Sequence, residues 1–206
     1  VIDYALLESC VRDYLNTNAD RAMAVLRPLK VVIDNYPEGK VEDIEVDINP
    51  NKPELGKTKV TFSREIYIEQ DDFMLDPPGK YFRLCPAKEV RLKSAYYIKY
   101  ASHETDEDGN ITVVHATYDP ESFGGETPDG RKVKGTIQWV DANNCLEAAV
   151  NMYDKLFVTE NPGDVDEYLD NLNPKSLEVL YGCKIDADLA TAKVGDSFQF
   201  MRNGYF

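Results

Sequence analysis

Histidine is almost absent from the 206-residue chain. His103 and His115 are the only two, too few for a metal centre or a set of histidine bases. Cys10, Cys85, Cys145 and Cys183 lie far apart and form no C-x-x-C pair. That leaves no zinc knuckle or redox motif and points to reduced thiols. No apolar run approaches the roughly 18 residues of a membrane-spanning helix, and no basic start leads into a short apolar segment. Positive charge is scarce too. Lys and Arg number 23 against 37 Asp and Glu, a formal net charge of −14, which opposes indiscriminate binding along a nucleic-acid backbone.

What remains has ordinary globular composition, 43% hydrophobic and 29% charged, enough for one large domain or two small ones with an unstapled core. The acidic balance has one local exception. Lys80, Arg83, Lys88, Arg91, Lys93 and Lys99 stand against Glu89 alone between residues 79 and 100. Such a stripe suits either a local anionic partner or a solvated strand face. His115 sits in a β-prone run, where a packed or hydrogen-bonded ring is expected rather than a catalyst.

Leu7, Cys10, Val11, Tyr14 and Leu15 recur at helical spacing, with Asp3 as cap, and predict one amphipathic helix. Arg21–Leu26 predicts a short second helix or a turn before Pro28. From Val31 onward the pattern becomes short β-prone runs: 31–33, 44–48, 59–62, 65–69, 89–92, 95–102, 111–118, 136–140 and 177–185. In the last of these Leu177, Val179, Tyr181, Cys183 and Ile185 alternate as on a half-buried strand. Asp108-Gly109 predicts a hairpin, and a further helix is expected over 165–172. The stretches Asp76-Pro77-Pro78-Gly79 and Asn161-Pro162-Gly163 predict two β domains, the second inserted into the first. Phe198–Arg202 reads as a strand and Asn203-Gly204 as a hairpin turn, with Tyr205-Phe206 starting a return. With no initiator Met, these ends predict a piece of a longer protein.

Several strings together carry a resemblance. Ala5-Leu6-Leu7-Glu8-Ser9-Cys10, Arg21-Ala22-Met23-Ala24-Val25, Asn51-Lys52-Pro53-Glu54, Lys88-Glu89-Val90-Arg91-Leu92, Gly130-Arg131-Lys132-Val133-Lys134-Gly135, Gly135-Thr136-Ile137-Gln138-Trp139-Val140, Asn173-Pro174-Lys175-Ser176-Leu177 and Phe198-Gln199-Phe200 occur in one order at matching separations. The chain resembles the C-terminal half of glutaminyl-tRNA synthetases over essentially its whole length. The resemblance implies a mainly β fold: a helical connector over residues 1–22, a proximal β-barrel from 23–76 and 158–206, and a distal β-barrel over 77–157. It implies binding of the glutamine tRNA anticodon loop by a cytoplasmic monomer, with no DNA or membrane partner. It implies no cofactor in this fragment. ATP and magnesium belong to a missing catalytic domain, whose H-x-G-H-like and K-M-S-K-S-like motifs do not occur here.

Unpaired loop bases are read by splaying them onto planar side chains and hydrogen-bonding their edges. Guanine offers N7 and O6 to a guanidinium fork, and the resemblance gives that third-base contact to Arg83. Here the family's Tyr-Lys-Arg-Leu string is Tyr81-Phe82-Arg83-Leu84, so Phe82 replaces a lysine and is available to stack on a base. Lys80 is counted with these contacts. Arg91 matches an arginine near the wobble base, and Lys93 stands where an arginine is common, retaining charge without the planar fork. Arg21, Gln199 and Arg202 are implied for the middle uracil, with Met201 in place of an acidic residue. On a regular strand Gln199 and Arg202 point to opposite faces, so both reach one base only if the chain turns. Tyr81, Tyr96, Tyr97 and Tyr100 serve either as core or as stacking surfaces. Arg131, Lys132 and Lys134 suit either phosphates or a solvated turn. A glutamyl-tRNA synthetase, a freestanding barrel protein that binds 5S RNA and an acidic protein-interaction module are the competing readings.

Overall fold

The computed structural model describes residues 4–86, 88–159 and 167–206. Its one α-helix among the described residues, α1 (Tyr4–Asn18), follows the predicted periodicity, while Asp3, the expected cap, lies outside the described residues. The apolar stripe of α1 meets no core: Leu7 and Tyr14 are 55% and 66% exposed. Burial begins only at Ala19.

Strands make up most of the rest: β1 (Asp20–Ala22), β2 (Ala24–Val25), β3 (Pro28–Ile33), β4 (Glu42–Asp47), β5 (Lys57–Phe62), β6 (Glu65–Glu69), β7 (Glu89–Leu92) and β8 (Tyr97–Thr105). They continue with β9 (Ile111–Tyr118), β10 (Thr136–Ile137), β11 (Val140–Asp141), β12 (Cys145–Tyr153), β13 (Leu177–Asp186), β14 (Phe198–Phe200) and β15 (Gly204–Tyr205). The expected helix or turn over Arg21–Leu26 is instead β1 and β2. β1 pairs in parallel with β14, and β2 pairs antiparallel with β13. Both partners lie more than 150 residues away, and such long-range pairing overrides local helix propensity. The helix expected over 165–172 is a 3-10 turn at Tyr168–Asn171, with residues 165 and 166 outside the described residues.

Seven strands form one sheet in the order β10-β7-β8-β9-β3-β6-β11. Its two edge strands are separated in sequence only by Gln138 and Trp139, so the sheet curls until its edges approach one another. The hairpin β4-β5 adds Ile44, Val60 and Phe62 to the core beneath it. Trp139 is fully buried there, edge-on to Phe62 at 4.9 Å between ring centroids. Its indole N–H donates to the Lys93 carbonyl at 3.0 Å. The remaining strands form two three-stranded sheets, β12-β13-β2 and β1-β14-β15.

Paired strands lie on both sides of each expected boundary. The seven-stranded sheet draws on both sides of the boundary at residues 76 and 77, and β12 pairs with β13 across the one at 157 and 158. Strands from 28 to 141 are nested between β1–β2 and β12–β15. β2 links the two parts through its alternation: Met23 and Val25 enter the larger core, and Ala24 and Leu26 enter a smaller one with Val150, Cys183 and Phe200. The alternating face of β13 is buried only at its far end. Cys183 is enclosed, but Leu177, Val179 and Tyr181 stay exposed, because β2 covers β13 only at Lys184 and Ile185.

Candidate nucleic-acid interface

The turn between β14 and β15 sets the position of Arg202. The Asn203 N–H donates to the Phe200 carbonyl at 2.8 Å, and Arg202 is held at φ 70°, in a left-handed region that residues with side chains seldom adopt. This conformation sends the guanidinium away from Gln199 and toward Asp72. Arg202 Nη2 lies 3.0 Å from Asp72 Oδ1, and Nη1 donates to Oδ2 at 3.3 Å. Arg83 arrives from the opposite direction. Its Nε is 3.2 Å from the same Asp72 oxygen, and its Nη1 donates to the Asp71 carbonyl at 2.9 Å. The Asp72 side chain is 2% exposed, whereas each arginine is 37% exposed. Burial pushes the Asp72 carboxyl above its usual range, against the opposing pull of Arg202 and Arg83. The result is a cavity of about 200 Å³ with Gln138, Glu69 and Asn203 on its walls. Each guanidinium carries five N–H donors in a planar fork, more than the carboxylate and carbonyls engage.

A second cavity, of about 320 Å³, holds Arg21 and Lys93 and shares Met201 with the first. Arg21 donates to the carbonyls of Asn16 and Ala19 at 2.8 and 3.1 Å, closing the C-terminal end of α1. Gln199 is its partner across the β1–β14 pairing. The group expected at the middle base is therefore divided: Arg21 and Gln199 are neighbours, but Arg202 joins Arg83. The far wall is acidic, with Asp188 and Asp186, whose carboxyl is pushed up to about 6 by burial. Lys93 precedes Ser94, at φ 59°. Ser94 and Arg202 are the only positive-φ non-glycine positions among the described residues, and both sit at these cavities. Backbone strain of this kind collects at functional sites.

Two family models match, both described as class I tRNA synthetases (E and Q), anti-codon binding domain, over residues 19–119 and 136–206. The chain belongs to this family. The chain is 50% identical to the glutamine–tRNA ligase of Aliivibrio fischeri (strain MJ11) over 206 residues, which is all of this chain and 37% of that protein. Against the glutamine–tRNA ligases of Clostridium kluyveri and Bradyrhizobium diazoefficiens it is 48% and 47% identical, again over 100% of the chain and 37% of each. The chain thus spans little more than a third of the length of these curated relatives.

The remaining candidate residues lie on β7 and in the loop that precedes it. Arg91 donates through Nε to Thr136 Oγ1 at 3.1 Å and lies against Gly125. A Cβ built on Gly125 would stand 2.4 Å from Arg91 Nη1, so the glycine leaves room for the guanidinium. Lys80 is exposed in the turn before Tyr81. Phe82 is 49% exposed, with two lysine ammonium groups near its ring. Tyr81, Tyr96 and Tyr97 are buried, and Tyr100 stacks on Phe73, so the tyrosines belong to the packing. Arg131 is clasped by Glu89, Asp119 and Asp129 and is not a free phosphate contact. The sequence reading missed Asp72 and Gln138. Asp72 lies next to Asp71 in an acidic turn indistinguishable from a solvated one, and its partner Arg202 is 130 residues distant.

Proposed function

We propose that the chain is the anticodon-binding region of a glutamine–tRNA ligase, and that the cavity between Arg83 and Arg202 receives an anticodon base. The observation that carries this reading is the shared anchor at Asp72. A buried carboxylate holds two half-exposed guanidinium forks in fixed orientation, and preorganised forks of this type suit the acceptor pair of a guanine edge. The family match and the glutamine–tRNA ligase relatives support the choice of RNA over protein as partner. An overall charge of −14 is compatible with that partner, because the contact is local and base-reading rather than a broad electrostatic footprint. We assign glutamine activation with ATP and magnesium to the part of the ligase outside this chain.

Stem-loops differing only at the third anticodon base test the assignment. The chain is expected to prefer guanine there. Arg83→Ala is expected to cost about 1–3 kcal/mol with the cognate loop and little with the others, as for a lost bidentate pair. Preference for cytosine would transfer the chain to the glutamate enzymes, and equal losses with every loop would remove the base-reading role of Arg83.

A further inference from the structure

Several lysines on this acidic surface are matched with carboxylates: Lys30 with Glu65, Lys40 with Glu42, Lys57 with Glu45, Lys59 with Asp43 and Lys184 with Glu147. Lys88 and Lys134 differ. Neither forms an ion pair among the described residues, and both are gathered on one side chain. Lys88 Nζ lies 5.6 Å and Lys134 Nζ 5.8 Å from the centroid of the Phe82 ring, within range of cation–π attraction.

Three features build this arrangement. Gly135 packs so closely on the 81–83 loop that a Cβ there would stand 2.1 Å from the Phe82 carbonyl oxygen, which brings Lys134 alongside Phe82. Lys88 Nζ donates to the Tyr81 carbonyl at 2.9 Å, which folds it back over the same loop. Nearby carboxylates are already engaged, since Glu89, Asp119 and Asp129 all hold Arg131. Two ammonium groups lie within cation–π range of one exposed aromatic ring, and neither is paired with a carboxylate among the described residues. Unpaired cations gathered on one side chain suit an anionic ligand.

We propose that Phe82, Lys88 and Lys134 form a clamp for an RNA phosphodiester, adjacent to the base taken by Arg83. Phe82 holds the two ammonium groups in place, and the lysines neutralise the phosphate without reading sequence. The proposal rests on the anticodon reading above and adds to it the backbone contact that positions the third base. Arg83 follows Phe82 directly in the chain, so a phosphate on the clamp places its nucleotide next to the guanidinium.

The experiment uses the whole chain and fluorescent anticodon stem-loops at several salt concentrations. Lys88→Ala and Lys134→Ala are each expected to weaken cognate and non-cognate loops alike by about three- to tenfold, and to flatten the slope of log affinity against log salt by about 0.7. A loop carrying one neutral methylphosphonate beside the third anticodon base is expected to lose at least that factor with the wild-type chain and a smaller factor with Lys134→Ala. Phe82→Leu, which keeps apolar bulk without a ring face, is expected to reproduce part of the slope change. Both lysines are exposed, so folding is expected to be intact by circular dichroism. Wild-type binding with unchanged slopes in both lysine variants, or independent losses from the methylphosphonate and Lys134→Ala, overturns the clamp alone. Absence of wild-type discrimination among loops, with slopes that still fall in the variants, overturns the base-reading assignment and leaves the clamp standing.

Discussion

Asp72 fixes the placement of two arginines at once. Its carboxyl is raised by burial more than Arg202 and Arg83 lower it, so the folded protein binds that proton more tightly than the unfolded chain does. The ionised form therefore subtracts from stability at neutral pH. Asp72→Asn relieves that desolvation while releasing both guanidinium groups, which retain water contact. The expected loss of stability is smaller than the roughly 3–5 kcal/mol seen when one partner of a fully buried pair is removed, whereas discrimination at the third base is expected to fall. Urea denaturation alongside stem-loop binding checks both parts, and intact discrimination in the variant would show that the arginines need no anchor. The sequence marks Arg83 and Arg202 through local strings but is silent about their meeting. They lie 119 positions apart in the chain, and the residue that joins them has no local signature.

At the level of elements, legibility followed the local sequence pattern. β3 to β9 and β13 all fall on runs that the period-two pattern marks, and the Asp108-Gly109 hairpin joins β8 to β9 as expected. β12 escaped because Leu146-Glu147-Ala148-Ala149 reads as helix former, and its strand character comes from its pairing with β13. β1 and β2 are too short to show a period. His115 shows how one side chain ties three elements together. From β9 its Nδ1 meets Asp34 after β3, and its Nε2 meets Glu104 on β8, both at 2.9 Å. Hydrogen bonds donated by the imidazolium to Asp34 and Glu104 raise its pKa. A raised folded value means the imidazolium stabilises the fold fully below the unfolded pKa of about 6.5, and that contribution disappears as pH rises through the folded value above it. Urea midpoints are thus expected to fall between pH 6 and pH 8 in the wild type. His115→Gln is expected to flatten that dependence, and an identical fall in the variant would place the titration elsewhere.

For the whole molecule, the interface site lies where the nested strands meet the outer ones, and its geometry depends on that junction. Arg83 and Asp72 belong to the nested segment, while Arg202 belongs to the β14–β15 turn. Gln138 ties the same turn down by donating to the Met201 carbonyl at 2.6 Å. The broadest connection is Glu69 at the end of β6. One carboxylate oxygen accepts from the Leu26 N–H at 2.7 Å and from Asn203 Nδ2 at 2.9 Å, and the other accepts from the Arg27 N–H at 3.0 Å. With β2 contributing to both cores, this junction couples them into one cooperative unit. Trp139 fluorescence, reporting the larger core, and far-ultraviolet circular dichroism, reporting all strands, are expected to give the same denaturation midpoint. Glu69→Ala strips the acceptor from three donors, two of them backbone N–H groups, and is expected to cost about 3 kcal/mol. Because the turn carrying Arg202 loses its tie, the variant is also expected to bind the cognate loop more weakly under conditions where it remains folded. Separate midpoints in the wild type, or full affinity in Glu69→Ala, would mean that the two cores fold independently and that the cavity between Arg83 and Arg202 is held by other contacts.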